Sequence, residues 1–147
     1  TTYATHDHEP LKTQWNDWRE IDRGDGEEAE REAAGRNLDR LSSFAGIEWK
    51  SEDGAYNDTI REALLRALFA SSSKYAAVMI TDLLGLEDRF NNPGSVGDEN
   101  WTSRMEESVK ELVTEVHWTY LGARIRRLLK ESNRRDSGDQ SDLNSTD

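Results

Sequence analysis

Residues Tyr75 to Ile80, YAAVMI, are six consecutive apolar positions in a chain where only 34% of residues are hydrophobic and 33% are charged. Ser71–Lys74 precede them, Thr81-Asp82 follow, and Asn91-Asn92-Pro93-Gly94 supplies the strongest turn signal of the sequence shortly afterwards. A short apolar run between polar flanks predicts a buried strand. A buried strand feeding a polar, turn-rich loop is how parallel α/β folds build ligand sites, because the loop emerges at the carboxyl end of the strand. No other segment reads as a strand, and one strand cannot make a sheet. The chain is therefore either all-helical with one odd apolar segment, or the end of an α/β fold.

Charge narrows the partners. Nineteen Lys and Arg against thirty Asp and Glu leave a net charge of -11. No basic stripe is present to neutralise phosphates, which argues against nucleic acid, and the same excess of carboxylates argues against an anionic membrane surface. No run of about eighteen apolar residues predicts a transmembrane helix. The 147 residues contain no cysteine, so thiolate chemistry, disulfides and cysteine-based zinc sites are excluded. So polar a composition predicts a small core, or packing partners outside this sequence. Position 1 is Thr rather than Met and no signal peptide opens the sequence; the expectation is a cytoplasmic chain that begins in the middle of something.

Helices account for most of the rest. Pro10 suits a first helical turn, and Leu11, Trp15, Trp18 and Ile21 recur at helical spacing before Asp22–Gly26 breaks the pattern. Glu27 to about Phe44 predicts a surface helix with a thin stripe of Ala29, Ala33, Ala34, Leu38 and Leu41, ended by Gly46. Asn57-Asp58-Thr59 starts a third helix running to Ala70, in which Thr59 and Glu62 have capping-box spacing. Leu83–Leu86 predicts a short turn. Ser108 and Glu111 again have capping-box spacing, and the apolar period from Val109 to Leu129 predicts one helix of about six turns. The run from Ser132 to Asp147 holds one apolar residue, Leu143, and predicts a disordered tail. Residues 1–131 are expected to belong to the ordered part and 132–147 to the tail.

Three constellations carry chemistry or its bland equivalent. His6-Asp7-His8-Glu9 places four ionisable side chains in succession. Such a cluster is either solvated loop or a carboxylate oriented by an imidazole; adjacent residues of a strand point to opposite faces, so a shared metal ion, even with His117, is the weaker reading. Asp82 is either a hydrogen-bond partner for substrate or a cap for Leu83–Leu86. Asn91 either belongs to a simple turn or offers a donor and an acceptor to a sugar hydroxyl. Of the five tryptophans, Trp15, Trp18 and Trp118 read as packing residues, Trp49 as an anchor without assigned use, and Trp101 stands beside the Asn-Pro-Gly loop.

The order of these signals is more specific than any one of them. Ala4-Thr5-His6-Asp7, then Asp82-Leu83-Leu84-Gly85-Leu86, then Arg89-Phe90-Asn91-Asn92-Pro93-Gly94-Ser95, then Asn100-Trp101-Thr102-Ser103-Arg104, together resemble the amylomaltase or disproportionating-enzyme family of 4-α-glucanotransferases. The resemblance spans roughly residues 3–130. Departures are His8-Glu9-Pro10 where the family commonly continues Asn-Asp, Trp15 one place later than the family's Gly-Trp, Phe90 for Met and Ser95 for Thr.

The resemblance implies an α/β fold in which this chain, mostly helical, is the C-terminal part of a (β/α)8 barrel. It implies a retaining transfer of α-1,4-glucan segments to the 4-hydroxyl of an acceptor glucan or glucose, with no cofactor and no metal. Asp7 is then the carboxylate that stabilises the oxocarbenium-like transition state, His6 its substrate-binding neighbour, and Asn91 a substrate-binding residue of the groove. The family's nucleophile and acid/base lie on strands upstream of the Thr-His-Asp motif, so the chain is expected to be inactive alone and to need the missing N-terminal part of the same enzyme as its partner, besides the maltooligosaccharide. Two other readings stand beside it: a non-catalytic acidic helical interaction module, which would fold cooperatively alone, and a metal-dependent hydrolase built on His6 and Asp7.

Overall fold

The computed structural model describes residues 1–50, 54–98, 100–105 and 108–134, with the side chain of His117 excepted. The chain divides into two compact units, Thr1–Glu106 and Glu107–Asp147.

The first unit is built on three helices. α1 (Leu11–Arg23) buries Leu11, Trp15 and Arg19, α2 (Glu28–Ala45) buries Ala34, Leu38 and Ser42, and α3 (Asp58–Ala70) buries Ile60, Leu64, Leu65 and Leu68 among others. Those positions recur at three- and four-residue spacing, so each helix turns one stripe inward. Leu11, Trp15, Leu38, Trp49, Ile60 and Leu64 form one core cluster, with Tyr3, Trp18, Leu41 and Tyr56 packed around it. The two fully enclosed indoles keep their N–H groups satisfied, as burial requires: Trp15 donates to the Gly54 carbonyl at 2.8 Å and Trp49 to Asp39 Oδ1 at 2.7 Å. The thin stripe of α2 thus suffices to pack on α1, and Trp49 is a core residue.

Caps set the helix ends. Asn57 is the N-cap of α3, its side-chain oxygen accepting from the N–H groups of Thr59 and Ile60, so Thr59 lies inside the helix and the expected Thr59–Glu62 box does not form. α2 ends at Gly46 in the left-handed conformation, φ 66°, the usual C-terminal stop.

The expected buried strand is corrected. No strand is present among the described residues. Residues 75–79 have no regular secondary structure, Ile80 already belongs to a short helix, α4 (Ile80–Leu84), and Tyr75 is 74% exposed. The backbone nitrogen of Thr1 donates to the Tyr75 carbonyl at 2.7 Å, and Ala77 N–H donates to the Thr1 carbonyl at 2.9 Å. That pair of bonds is the first step of a parallel ladder. It goes no further among the described residues, and a parallel strand needs neighbours and cover on both faces to be buried.

The second unit holds α5 (Val109–Thr114) and α6 (Val116–Glu131), which replace the single six-turn helix expected from the apolar period. Ser108 and Glu111 do form the capping box. The break falls at Glu115, φ -75° and ψ 141°, which ends α5 and precedes α6. Val109, Val113, Val116 and Tyr120 are exposed; without burial to reward the stripe, the low helix propensity of the β-branched residues around Glu115 decides. Of the expected tail, residues 135–147 lie outside the described residues, while Ser132, Asn133 and Arg134 donate their backbone N–H groups to carbonyls of the last turn of α6.

Candidate functional site

Thr5 to His8 form a tight turn closed by His8 N–H donating to the Thr5 carbonyl at 2.9 Å. His8 Nδ1 lies 3.0 Å from Thr5 Oγ1, which ties the turn a second time. His6 and Asp7 occupy its corner. Because this is a turn and not a strand, neighbouring side chains share a side: His6 Nε2 is 3.4 Å from Asp7 Oδ2. The strand-based argument against convergence therefore does not hold for this pair, although among the described residues no group of three or more His, Asp and Glu is placed to hold a metal ion.

Eighty-four residues later the second loop arrives at the same carboxylate. Asn91 Nδ2 donates to Asp7 Oδ1 at 2.7 Å. Each oxygen of Asp7 thus faces a nitrogen, from Asn91 on one side and His6 on the other, which fixes the plane of the carboxylate while leaving it about half exposed. Asp7, His6 and Asn91 are brought together.

Arg89 is the residue that sequence reasoning passed over. Its Nη1 donates to Glu9 Oε1 at 2.9 Å, its Nη2 to the Asp7 carbonyl at 3.1 Å, and its Nε to the Asn91 carbonyl at 2.8 Å. One planar fork joins both loops, a task lysine could not perform with the same geometry. The available signal was its place two residues before Asn91 at the head of the Arg89–Gly94 run.

The loop beyond Asn91 is closed by its own residues. Ser95 N–H donates to the Asn92 carbonyl at 3.1 Å, so Asn92-Pro93-Gly94-Ser95 is a tight turn, with Gly94 at φ 81°. Asn100 accepts from Asn92 N–H at 2.7 Å and donates to the Ser95 carbonyl and hydroxyl, both at 3.1 Å. Trp101 N–H donates to the Phe90 carbonyl at 2.7 Å. An open cleft of about 260 Å3 is lined by Arg89, Phe90, Asn91, Asn92 and Asn100.

Asp82 plays neither expected part. It lies within α4, is buried, and Oδ1 accepts from Leu11 N–H at 2.7 Å. It therefore caps α1, whose own preceding residue Pro10 has no side chain to do so. Burial pushes its carboxyl above the ordinary value, opposed by the Leu11 hydrogen bond. The Leu83–Leu86 stretch is structural too: Gly85, φ 73°, ends α4, and Arg61 Nη1 donates to the Leu84 carbonyl at 2.8 Å in the space that a Cβ at Gly85 would occupy.

Two polar loops thus meet over a half-exposed, oriented carboxylate. A family model described as 4-alpha-glucanotransferase matches residues 1–110, and the chain belongs to that family. Neither the curated proteins nor the solved structures include a match to it.

Proposed function

We propose that this chain contributes part of the donor side of a sugar groove to a retaining 4-α-glucanotransferase, with Asp7 as the carboxylate that faces the positive charge developing at the anomeric carbon. The observation that carries the reading is the convergence on Asp7 of His6 at 3.4 Å and Asn91 at 2.7 Å. A carboxylate whose orientation is set beforehand needs no reorganisation when charge develops, which is the source of electrostatic stabilisation. The uncommitted faces of His6 and Asn91 suit sugar hydroxyls, and the substrate is an α-1,4-glucan or maltooligosaccharide.

Two further carboxylates complete such a reaction: one forms the covalent glucosyl intermediate, the other protonates the leaving oxygen and then activates the incoming hydroxyl. No motif for either occurs in these 147 residues, so they come from additional barrel sequence, and this chain alone is inactive. The segment 75–79, exposed at Tyr75 and bonded to Thr1 in the pattern of a parallel pair, supports a barrel whose remaining strands are supplied by that sequence. The setting we infer is the cytoplasm or a plastid.

The test is disproportionation of maltotriose. The isolated 147 residues are expected to release no glucose. In the polypeptide that carries the full barrel, Asp7→Asn is expected to lower kcat by about 100- to 1,000-fold. Wild-type turnover by the Asn variant would rule out the role given to Asp7.

A further inference from the structure

Trp101 has a backbone that a bulky side chain rarely adopts, φ 65°. The other non-glycine residue with positive φ among those described is Asn133, a residue type that tolerates the left-handed region. Trp101 is also not held there by burial of its ring, since it is 57% exposed. Strain of this kind persists only where surrounding bonds over-determine it, and here they do. The Trp101 amide is bonded to Phe90, its carbonyl accepts from Arg104 Nη1 at 3.2 Å, and its neighbour Asn100 staples the loop to Asn92 and Ser95.

The strained conformation has a product. The indole comes to rest on the His6 imidazole, ring centroids 5.1 Å apart and planes at 47°, within the range of a favourable aromatic pair. His6 is otherwise loosely held: its side chain is 55% exposed, and its partner Asp7 is half exposed as well. One exposed polar contact alone is too weak to fix a ring.

We propose that Trp101 is a positioning residue: it acts through His6, holding the imidazole against Asp7, and the left-handed backbone at Trp101 is what delivers the indole to that place. The functional consequence rests on the reading of Asp7 and His6 as the sugar-holding pair, but the contact itself does not. The division of labour in the Asn100-Trp101 dipeptide follows: Asn100 closes the loop and Trp101 spends that closure on orienting a residue of the other loop.

The experiment is nuclear magnetic resonance on the 147-residue chain with labelled histidine, in which His8, tied to Thr5, serves as internal reference. The wild type is expected to give cross-peaks between the His6 ring protons and the Trp101 indole, with the His6 signals shifted upfield by the indole ring current. Trp101→Gly relieves the backbone strain, so the loop stays closed by the criterion of slow amide exchange at Asn92. The ring-current shift leaves with the indole whatever its role, so positioning is read from the three-bond couplings that report the His6 side-chain rotamer, which average over rotamers in Trp101→Gly and return to a single rotamer in Trp101→Phe. A residue needed only for loop structure leaves those couplings unchanged in Trp101→Gly. Absence of the wild-type cross-peaks, or couplings indifferent to Trp101→Gly, overturns the proposal. None of these readouts depends on turnover, so a failure of the role given to Asp7 is told apart from a failure here.

Discussion

Asp82 Oδ1 accepts a hydrogen bond at 2.7 Å from the Leu11 backbone N–H, seventy-one positions earlier in the chain. A residue of one helix thereby caps the start of another, and does so immediately behind the turn that carries His6 and Asp7. Asp82→Ala leaves a buried N–H without an acceptor and is expected to cost about 1 kcal/mol of stability. Urea unfolding followed by circular dichroism gives the number.

The same contact has a pH signature. Burial raises the folded-state pKa of Asp82 above its ordinary value of 3.8, so its ionisation works against the fold. Its contribution to stability is full below the unfolded-state value and falls as pH rises through the folded-state one. Asp82→Asn keeps an oxygen for Leu11 but cannot ionise. The stability of wild type minus that of Asp82→Asn is therefore expected to fall as pH rises above 3.8, and to be flat if Asp82 is not buried in solution.

Gly85→Ala is expected to destabilise the first unit by about 1–2 kcal/mol from backbone conformation alone. The new Cβ also meets the Arg61 guanidinium, breaking its bond to the Leu84 carbonyl. Arg61→Met in the same background should recover part of the loss, a coupling that a double-mutant cycle reads directly.

Arg89→Met removes all three bonds of the fork. Because the side chain is partly exposed, the global cost is expected to stay within about 1 kcal/mol. The local effect is larger: amide exchange at Asn92 and Trp101 should accelerate while that of the core helices does not change. Leu64→Ala makes the opposite comparison, with a global loss of about 3 kcal/mol and uniform acceleration.

What could be read from the sequence divides along a physical line. Helices α1 to α3 were legible because Trp15, Leu38 and Leu64 are fully buried, and burial imposes the period that the eye finds. The grouping of His6, Asp7 and Asn91 came from motif order, which carries the outcome of long-range geometry without showing it. Features made by two distant segments were not legible. The capping of Leu11 by Asp82 and the three-way fork of Arg89 depend on tertiary placement. Tyr75–Ile80 misled because apolarity signals a wish to be covered, not the presence of cover. The long helix misled for the same reason at Val113 and Val116, both exposed.

The pair of bonds between Thr1 and residues 75 and 77 has a consequence for how such a chain can vary. It sets the alignment of the two segments ahead of the turn and the loop, and the bond from Leu11 to Asp82 sets it again after the turn on one segment and before the loop on the other. The connection between α1 and α2, Gly24 to Glu27, is outside that frame, so residues gained or lost there leave the distance from Asp7 to Asn91 untouched. A single residue added between Glu9 and Leu11, or between Asp82 and Arg89, would move one loop by a full step against the other. Length is free at that connection and rationed at two short stretches.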